Sequence, residues 1–594
     1  MNRLRVGLAL GFLSVFAVAL ASCEWLMPEQ PGPEDQTVVG VFSTGGTPHV
    51  ELADGRTFPL DSTADWQEDE DRFSPLAVAF RPLSLVSPMD VPGTVDLRNF
   101  QTPIKEQWGG TCVQFATTAA LEALYARIAG NVLDLSERFG QLLQKMSHLT
   151  EDLQPLAYCR ENQLGAWDGG GLYYQLQLFT RYRLPPESDL PYPIAVDPNL
   201  DWEASRCAAG TDQVAMDDWN LDPVNLPQTA LRNARYGARA VEFCPPELVT
   251  DPTWYEAVLA NGYEIIFSAV LCGEDPSPGN GVWDPGTAGE CGGHAMLMVG
   301  YRHADRVFIV KNSWGFNAEQ GEAGFTLMSY NWVEDGWVVD AGYITSVATD
   351  TADPSQDHML LGRWNVDHDG WKGTLDIYRF SGLFTRDSIH GENDLRLGTY
   401  WGSDGIARRV NGTIDGHEID FRIDWNFPNL DYGDIQGMHF MGYLFTRDPV
   451  MLAGTMIDNR DHQWYPFYAT KDQFLVGVPA GGLLGPESYL GRWEMNHDGW
   501  TGLLVLDDLR PSKGTSPTTA IWGTYTPTGG TAVPVSAEIN NSDPREVIFQ
   551  IGLVDGTQGF LGHLLSHEQG IMAGTTESHG TTYGFVARRL GSPE

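Results

Sequence analysis

Cys112, His294 and Asn312 occur in that order, each inside a short run whose composition suits thiol-based acyl transfer. The first run is Gln107-Trp108-Gly109-Gly110-Thr111-Cys112-Val113-Gln114-Phe115-Ala116. The second is Gly293-His294-Ala295-Met296-Leu297-Met298-Val299-Gly300-Tyr301, and the third is Val310-Lys311-Asn312-Ser313-Trp314-Gly315. A thiol needs a base to become a nucleophile, and the base needs a third group to orient it. A Cys opening a helix, a His in a strand and an Asn just after another strand supply those three roles.

The elements that must hold these residues are also readable. Phe115, Ala119, Leu121, Ala123, Leu124 and Ile128 form an apolar stripe, which predicts a helix from Cys112 to Ile128. A nucleophile at a helix N-terminus sits in partial positive charge, which favours thiolate over thiol.

The three segments resemble the papain-like cysteine peptidases, over roughly Pro92 to Val347. The resemblance implies a two-lobed fold, with a helical lobe and a β-barrel-like lobe. It implies that Cys112 is the nucleophile, His294 the base and later the acid, and Asn312 the group that holds the imidazole tautomer. Gln107 would donate its side-chain amide to the oxyanion alongside the Cys112 backbone N–H. Trp314 would cover the His–Asn hydrogen bond. Leu135-Ser136-Glu137 and Leu190-Pro191-Tyr192 resemble further landmarks of the family. Asp168-Gly169-Gly170-Gly171 precedes an amphipathic run from Tyr173 to Tyr182. In the family such glycines pair backbone to backbone with substrate, which makes Gly169, Gly170 and Trp314 the substrate-binding candidates. Three departures stand out. Gln107 lies five residues before Cys112 where the family usually has six, Val113 replaces a usual Trp, and Gly109 replaces a usual Cys. Insertions are expected around Ala195–Gln228 and Gly273–Gly289.

The N-terminus has a charged start, Met1-Asn2-Arg3-Leu4-Arg5, then an apolar run from Val6 to Ala21, which reads as an export signal over 1–22. Its end, Leu20-Ala21-Ser22-Cys23, resembles the bacterial lipobox, which implies lipid on Cys23 and a chain anchored to a membrane. Glu24 after that cysteine gives no inner-membrane retention signal, so the expected location is the cell envelope, at the outer membrane or cell surface. Residues 23–37 read as a Pro-rich acidic tether, and 38–91 as a small β-module or a pro-segment.

Seven cysteines divide among different fates. With Cys23 and Cys112 assigned, Cys272 and Cys291 flank a Gly/Pro/Asp-rich excursion, so a disulfide closing it is expected; Cys159 with Cys207 is the next candidate pair. No cysteine has zinc-ligand spacing, and neither metal nor cofactor is expected. The net charge of -41, from Asp+Glu 78 against Lys+Arg 37, disfavours nucleic acid as a partner.

After the peptidase-like region at 92–350 the chain repeats itself. Leu361-Gly362-Arg363-Trp364-Asn365-Val366-Asp367-His368-Asp369-Gly370-Trp371 recurs as Leu490-Gly491-Arg492-Trp493-Glu494-Met495-Asn496-His497-Asp498-Gly499-Trp500, and later landmarks recur in step. Period-two runs separated by Gly/Asp/Asn turns predict about eight strands per copy, at 358–471 and 487–590. Two antiparallel up-and-down barrels follow, with a two-sheet sandwich as the competing shape. The pattern is similar to avidin-type or lipocalin-type barrels. Trp364, Trp401, Trp425 and Trp522 either line a ligand cup or fill the barrels. The Asp-His-Asp-Gly and Asn-His-Asp-Gly turns are similar to calcium loops but offer too few oxygen ligands, and Asp-Gly is ordinary hairpin chemistry.

The fold class expected is therefore α+β followed by all-β. The expected function is a lipid-anchored, exported, monomeric cysteine peptidase acting on polypeptides, its repeats binding or docking. A surface binding or adhesion protein on a peptidase fold and a transpeptidase are the alternatives.

Overall fold

The computed structural model describes backbone at 38–44, 47–52 and 57–59, and residues 91–591 except 108–109, 131, 148–169, 193–225, 273–280, 287–289, 317–321, 323, 349–358, 378–394, 425–436, 448, 480–482, 511–517, 554–555 and 568. Cys23, the export signal, Cys159, Cys207, Gly169 and Trp425 lie outside the described residues.

Strands β1 (Val38–Thr44), β2 (Thr47–Leu52) and β3 (Thr57–Pro59) form a small antiparallel sheet. The strands expected in the 38–91 segment are thus present at its start. Next come β4 (Thr94–Asp96), then helices α1 (Cys112–Ala129), α2 (Glu137–Ser147), α3 (Leu172–Arg181) and α4 (Gln228–Asn233). Helix α1 is buried through most of its length, its polar Gln114, Thr117, Thr118 and Glu122 included, as a helix packed on all sides. Gly130, at φ 67°, ends it in the left-handed conformation that glycine adopts without strain.

A second lobe is built on β5 (Ala238–Phe243), α5 (Pro252–Ala260), β6 (Ile265–Cys272), β7 (Val282–Trp283), β8 (Cys291–Arg302), β9 (Val307–Lys311), β10 (Thr326–Ser329), α6 (Asn331–Glu334) and β11 (Val338–Val347). The sheet order is β5-β11-β6-β8-β9-β10-β7, with β4 on β8. β8 partitions two cores. Ala295, Leu297 and Val299 join the helical core with Cys112 and Leu121, whereas Met296, Met298 and Tyr301 join the core that holds Trp314 and Trp332. Strand alternation explains the division as far as Val299, and the register shift between Met298 and Gly300 turns Tyr301 into the second core. Cys272 and Cys291 stand opposite each other in the β6–β8 ladder and are disulfide-bonded, as expected from the excursion they flank.

Two closed eight-stranded antiparallel barrels follow. The first comprises β12 (Gly362–His368), β13 (Trp371–Ile377), β14 (Leu395–Gly402), β15 (Ala407–Asp415), β16 (Glu418–Asp424), β17 (Gly437–Leu444), β18 (Met451–Asp458) and β19 (Gln463–Thr470). The second comprises β20 (Gly491–His497), β21 (Trp500–Arg510), β22 (Thr518–Pro527), β23 (Val533–Asn540), β24 (Glu546–Leu553), β25 (Gly556–Leu564), β26 (Ile571–Ser578) and β27 (Thr581–Gly591). Each strand pairs with its sequence neighbours and the last closes on the first, so no edge is left open.

The barrel interiors hold the same packing twice. Trp364 and Trp493 are fully buried, and their indole N–H groups donate to Leu360 O (2.7 Å) and Tyr489 O (2.9 Å). Phe421 stacks on Phe440 with centroids 4.6 Å apart, as Phe549 does on Phe560. His368 meets the Tyr400 hydroxyl at 2.9 Å and His497 the Tyr525 hydroxyl at 3.2 Å. The tyrosine rings lie so close to Gly373 and Gly502 that a Cβ there would stand 2.4 and 2.5 Å from ring atoms. Trp364 therefore fills its barrel, Trp401 is only part-buried, and Trp522 is 44% exposed. These three do not form the lining of one cup.

The two barrels bind each other about an approximate two-fold axis. The tight β12–β13 turn puts Asp369 at φ 54°, and its carboxylate accepts from Ser566 N–H and Oγ–H, both at 2.6 Å. The equivalent Asp498, at φ 53°, accepts from the Thr446 N–H and, at 2.7 Å, from Thr446 Oγ–H. Arg545 lies over the Tyr465 ring at 4.5 Å, and the equivalent His417 stacks on Tyr583 at 5.4 Å. Phe445, Met451, Ala453 and Tyr468 pack against Leu565, Ile571, Ala573 and Val586 in one buried cluster. The turns that are similar to calcium loops thus spend an aspartate on the neighbouring barrel. On the other side, the core of barrel one is continuous with that of the helical lobe.

Candidate active site

Cys112 is the first residue of α1 and is buried at 2% exposure. His294, 1% exposed, lies in β8. A small cavity is walled by Phe115, Ala116 and Ala119 of α1, by Ala295 and Leu297 of β8, and by Asn312 and Ser313. The first turns of α1 therefore face the segments that carry His294 and Asn312.

The imidazole is oriented by two contacts. Its Nε2 is 2.8 Å from Asn312 Oδ1. Ser313 N–H donates to the same Oδ1 at 2.8 Å, which identifies that atom as the acceptor. Nε2 must then carry the hydrogen, and in the neutral ring Nδ1 holds the lone pair. Trp314 stacks on the imidazole with centroids 4.6 Å apart and planes 22° off parallel. Trp314 is 2% exposed, so it backs the ring instead of offering a surface to solvent. Burial pushes the His294 pKa down to about 4, opposed in part by the Asn312 hydrogen bond. Burial thus disfavours an imidazolium with no anion beside it.

Gln107 is held by the segment that follows Asn312. Its N–H donates to Ser313 O at 2.7 Å, and its Oε1 accepts from the Ser313 hydroxyl. Gly315 N–H donates to Lys105 O at 3.1 Å, and Glu106 bridges Trp314. With Oε1 fixed on Ser313, the amide NH2 is the end that turns away. Residues 313–315 thus fix the position of Gln107 from across the fold.

Behind the site lies a group of buried charges. Lys311 Nζ donates to Thr102 Oγ1 at 3.0 Å, and Thr102 Oγ1 donates to Glu122 at 2.5 Å. Lys105 pairs with Glu137 at 2.6 Å and Glu122 at 3.4 Å. Burial pushes Lys311 down to about 8, and burial also raises Glu137, against the pull of Lys105. Lys311 and Glu137 stood inside the motifs read from the sequence, but Thr102 and Glu122 carried no motif of their own. Gly170 lies against Gln144, whose side chain a Cβ would meet at 2.0 Å. Among the described residues, no group of three His, Cys, Asp or Glu side chains could hold a metal ion.

No protein-family model matches the chain. It is similar to pro-cathepsin H of Medicago truncatula, at 26% identity over 290 residues, covering 46% of this chain and 69% of the relative. It is 28% identical to pro-cathepsin H of Bos taurus over 233 residues, covering 38% of this chain and 57% of the relative. A solved structure of xylellain, a cysteine protease from Xylella fastidiosa, aligns over 54% of this chain and 100% of its own, at 17% identity and a TM-score of 0.34.

Proposed function

We propose that this papain-like domain is a working cysteine peptidase that hydrolyses polypeptides through Cys112. The observation that carries the reading is the Asn312-oriented imidazole of His294, stacked on Trp314 with Nδ1 as its bare nitrogen, next in sequence to Ala295, which shares a cavity wall with the first turns of the helix that begins with Cys112. In this mechanism Nδ1 takes the Cys112 proton. The thiolate and imidazolium that result carry no net charge as a pair, which limits the burial penalty that opposes a lone imidazolium. The partial positive charge at the helix N-terminus favours the thiolate.

The sulfur then attacks the scissile carbonyl. The developing oxyanion receives the Cys112 N–H and the Gln107 side-chain amide, each such donor contributing on the order of 10²–10³ in kcat. His294 passes its proton to the leaving amine, and a thioester joins Cys112 to the acyl half. Water, deprotonated by the same ring, attacks the thioester, and the acid and the thiol are released. Gly169 and Gly170 would offer backbone to the substrate strand.

The same proposal includes export, lipid on Cys23 and attachment to the cell envelope, on the strength of the N-terminal sequence. The barrels, with filled interiors, would act through their outer surfaces, and the acidic chain would work as a monomer without nucleic acid. An epoxide-type thiol-peptidase inhibitor should label Cys112 stoichiometrically. Peptide-library cleavage should be present in the wild type and absent in Cys112→Ala. An unlabelled, inert wild type would instead favour the binding-protein reading. Amide products formed with an added amine would point to transfer in place of hydrolysis.

A further inference from the structure

Trp314 is not the last ring behind the imidazole. Trp283 meets Trp314 edge to face with centroids 6.0 Å apart, and Trp332 packs on Trp283 at 5.1 Å. The series His294–Trp314–Trp283–Trp332 runs from the reacting ring into the core, and the three tryptophans are buried. Trp283 comes from the excursion between β6 and β8, remote in sequence from both of its ring partners.

Three restraints return it to this place. Val282 and Trp283 pair in parallel with Leu327 and Met328 of β10. The Trp332 indole N–H donates to the Trp283 carbonyl at 2.9 Å. The excursion is closed at its stem by the Cys272–Cys291 disulfide, which bridges residues 19 apart. That bridge crosses the β6–β8 ladder three residues before His294, which itself pairs with Ala269. A cross-link at the stem lowers the entropic cost of returning Trp283 to the core.

We infer that Trp283, carried on the disulfide-closed excursion, is a positioning residue for the His294 imidazole, acting through Trp314. The inference rests on the peptidase reading above. Asn312 fixes the ring at one atom, which leaves rotation about the Nε2–Oδ1 line. The face of Trp314 removes that rotation only while Trp314 itself cannot rock. Trp283 fills the space into which Trp314 would rock. Losing it lets Nδ1 swing away from Cys112 while substrate contacts elsewhere stay as they were.

The test uses the full chain with Trp283→Ala, Trp283→Phe and the pair Cys272→Ser with Cys291→Ser. The readouts are kcat, KM and the pH dependence of Cys112 alkylation by iodoacetamide, the last independent of turnover. Trp283→Ala should lower kcat by about tenfold to a hundredfold with KM changed by less than about twofold. The alkylation profile should shift along the pH axis. Trp283→Phe should recover most of both, and the serine pair should move both in the same direction as Trp283→Ala. A role confined to folding would lower the titratable fraction of Cys112 without moving the profile. An unmoved profile in both Trp283→Ala and the serine pair overturns the inference. A wild type that alkylates with a shifted profile but cleaves no peptide refutes the peptidase reading alone.

Discussion

Acid should loosen the barrels by an amount set by two buried histidines. His368 and His497 are 2% and 8% exposed, and burial pushes their pKa values down to about 3 and about 4 from an ordinary 6.5. The folded chain keeps both rings neutral where the unfolded chain binds a proton on each. Unfolding therefore takes up protons as pH falls through 6.5, and the stability these rings contribute is complete above that value and declines towards 3–4. Between pH 7.5 and pH 5 the unfolded state gains about 1.5 pH units of protonation free energy per ring, or about 2 kcal/mol, and about 4 kcal/mol for the two. Carboxylates titrate over the same span, so the quantity to read is the difference from a variant that lacks the rings. His368→Phe with His497→Phe gives up the Tyr400 and Tyr525 hydrogen bonds at a cost that does not depend on pH in this range. Urea unfolding followed by fluorescence of the buried Trp364 and Trp493, at pH 7.5 and pH 5, supplies the comparison. The wild type should lose about 4 kcal/mol relative to the double variant on acidification. An equal difference at the two pH values would refute the argument that burial keeps these rings neutral.

Asp369→Ala should cost about 2–3 kcal/mol and Asp498→Ala a similar amount, because each removes a carboxylate that accepts two hydrogen bonds across the barrel interface; chemical denaturation measures both. Gly502→Ala should destabilise barrel two by about 1–3 kcal/mol, since the new Cβ would stand 2.5 Å from the Tyr525 ring; a lowered thermal midpoint with unchanged peptidase activity is the expected result. Glu122→Ala should cost about 3–5 kcal/mol by leaving the Thr102–Lys311 pair and the Leu135 N–H without their buried carboxylate, and Glu122→Gln should cost less; differential scanning calorimetry reads the change in the papain-like domain.

What could be read in the sequence followed the range of the interaction. The helix opening at Cys112 showed in its own apolar stripe, and the structure runs it to Ala129. The barrel strands showed because alternation has a period of two and the repeat states it twice; β13, β16 and β24 begin within three residues of the alternating runs that start at Thr374, Glu418 and Val547. His294 and Asn312 lie 18 residues apart on either side of one hairpin, so local motifs carried both. The interface between the barrels was illegible for the opposite reason. Asp369 and Asp498 are good hairpin-turn residues wherever they point, and their partners Ser566 and Thr446 lie 197 and 52 residues away. Trp283 was hidden in the same way, since nothing in a Gly/Pro-rich excursion marks the ring that returns to the core. Gln107 fell between the two cases. Its type was legible, but its position depends on Ser313, 206 residues on.

The account turns on whether the imidazole of His294 takes the proton of Cys112. The rate of Cys112 alkylation by iodoacetamide, followed from pH 3 to pH 10 in wild type and in His294→Ala, measures this most directly. The wild type should react well below the ordinary thiol pKa of about 8.5, with an acid inflection that His294→Ala abolishes, leaving a single inflection close to the ordinary thiol value. Superimposable profiles, each rising only at alkaline pH, would contradict the central claim.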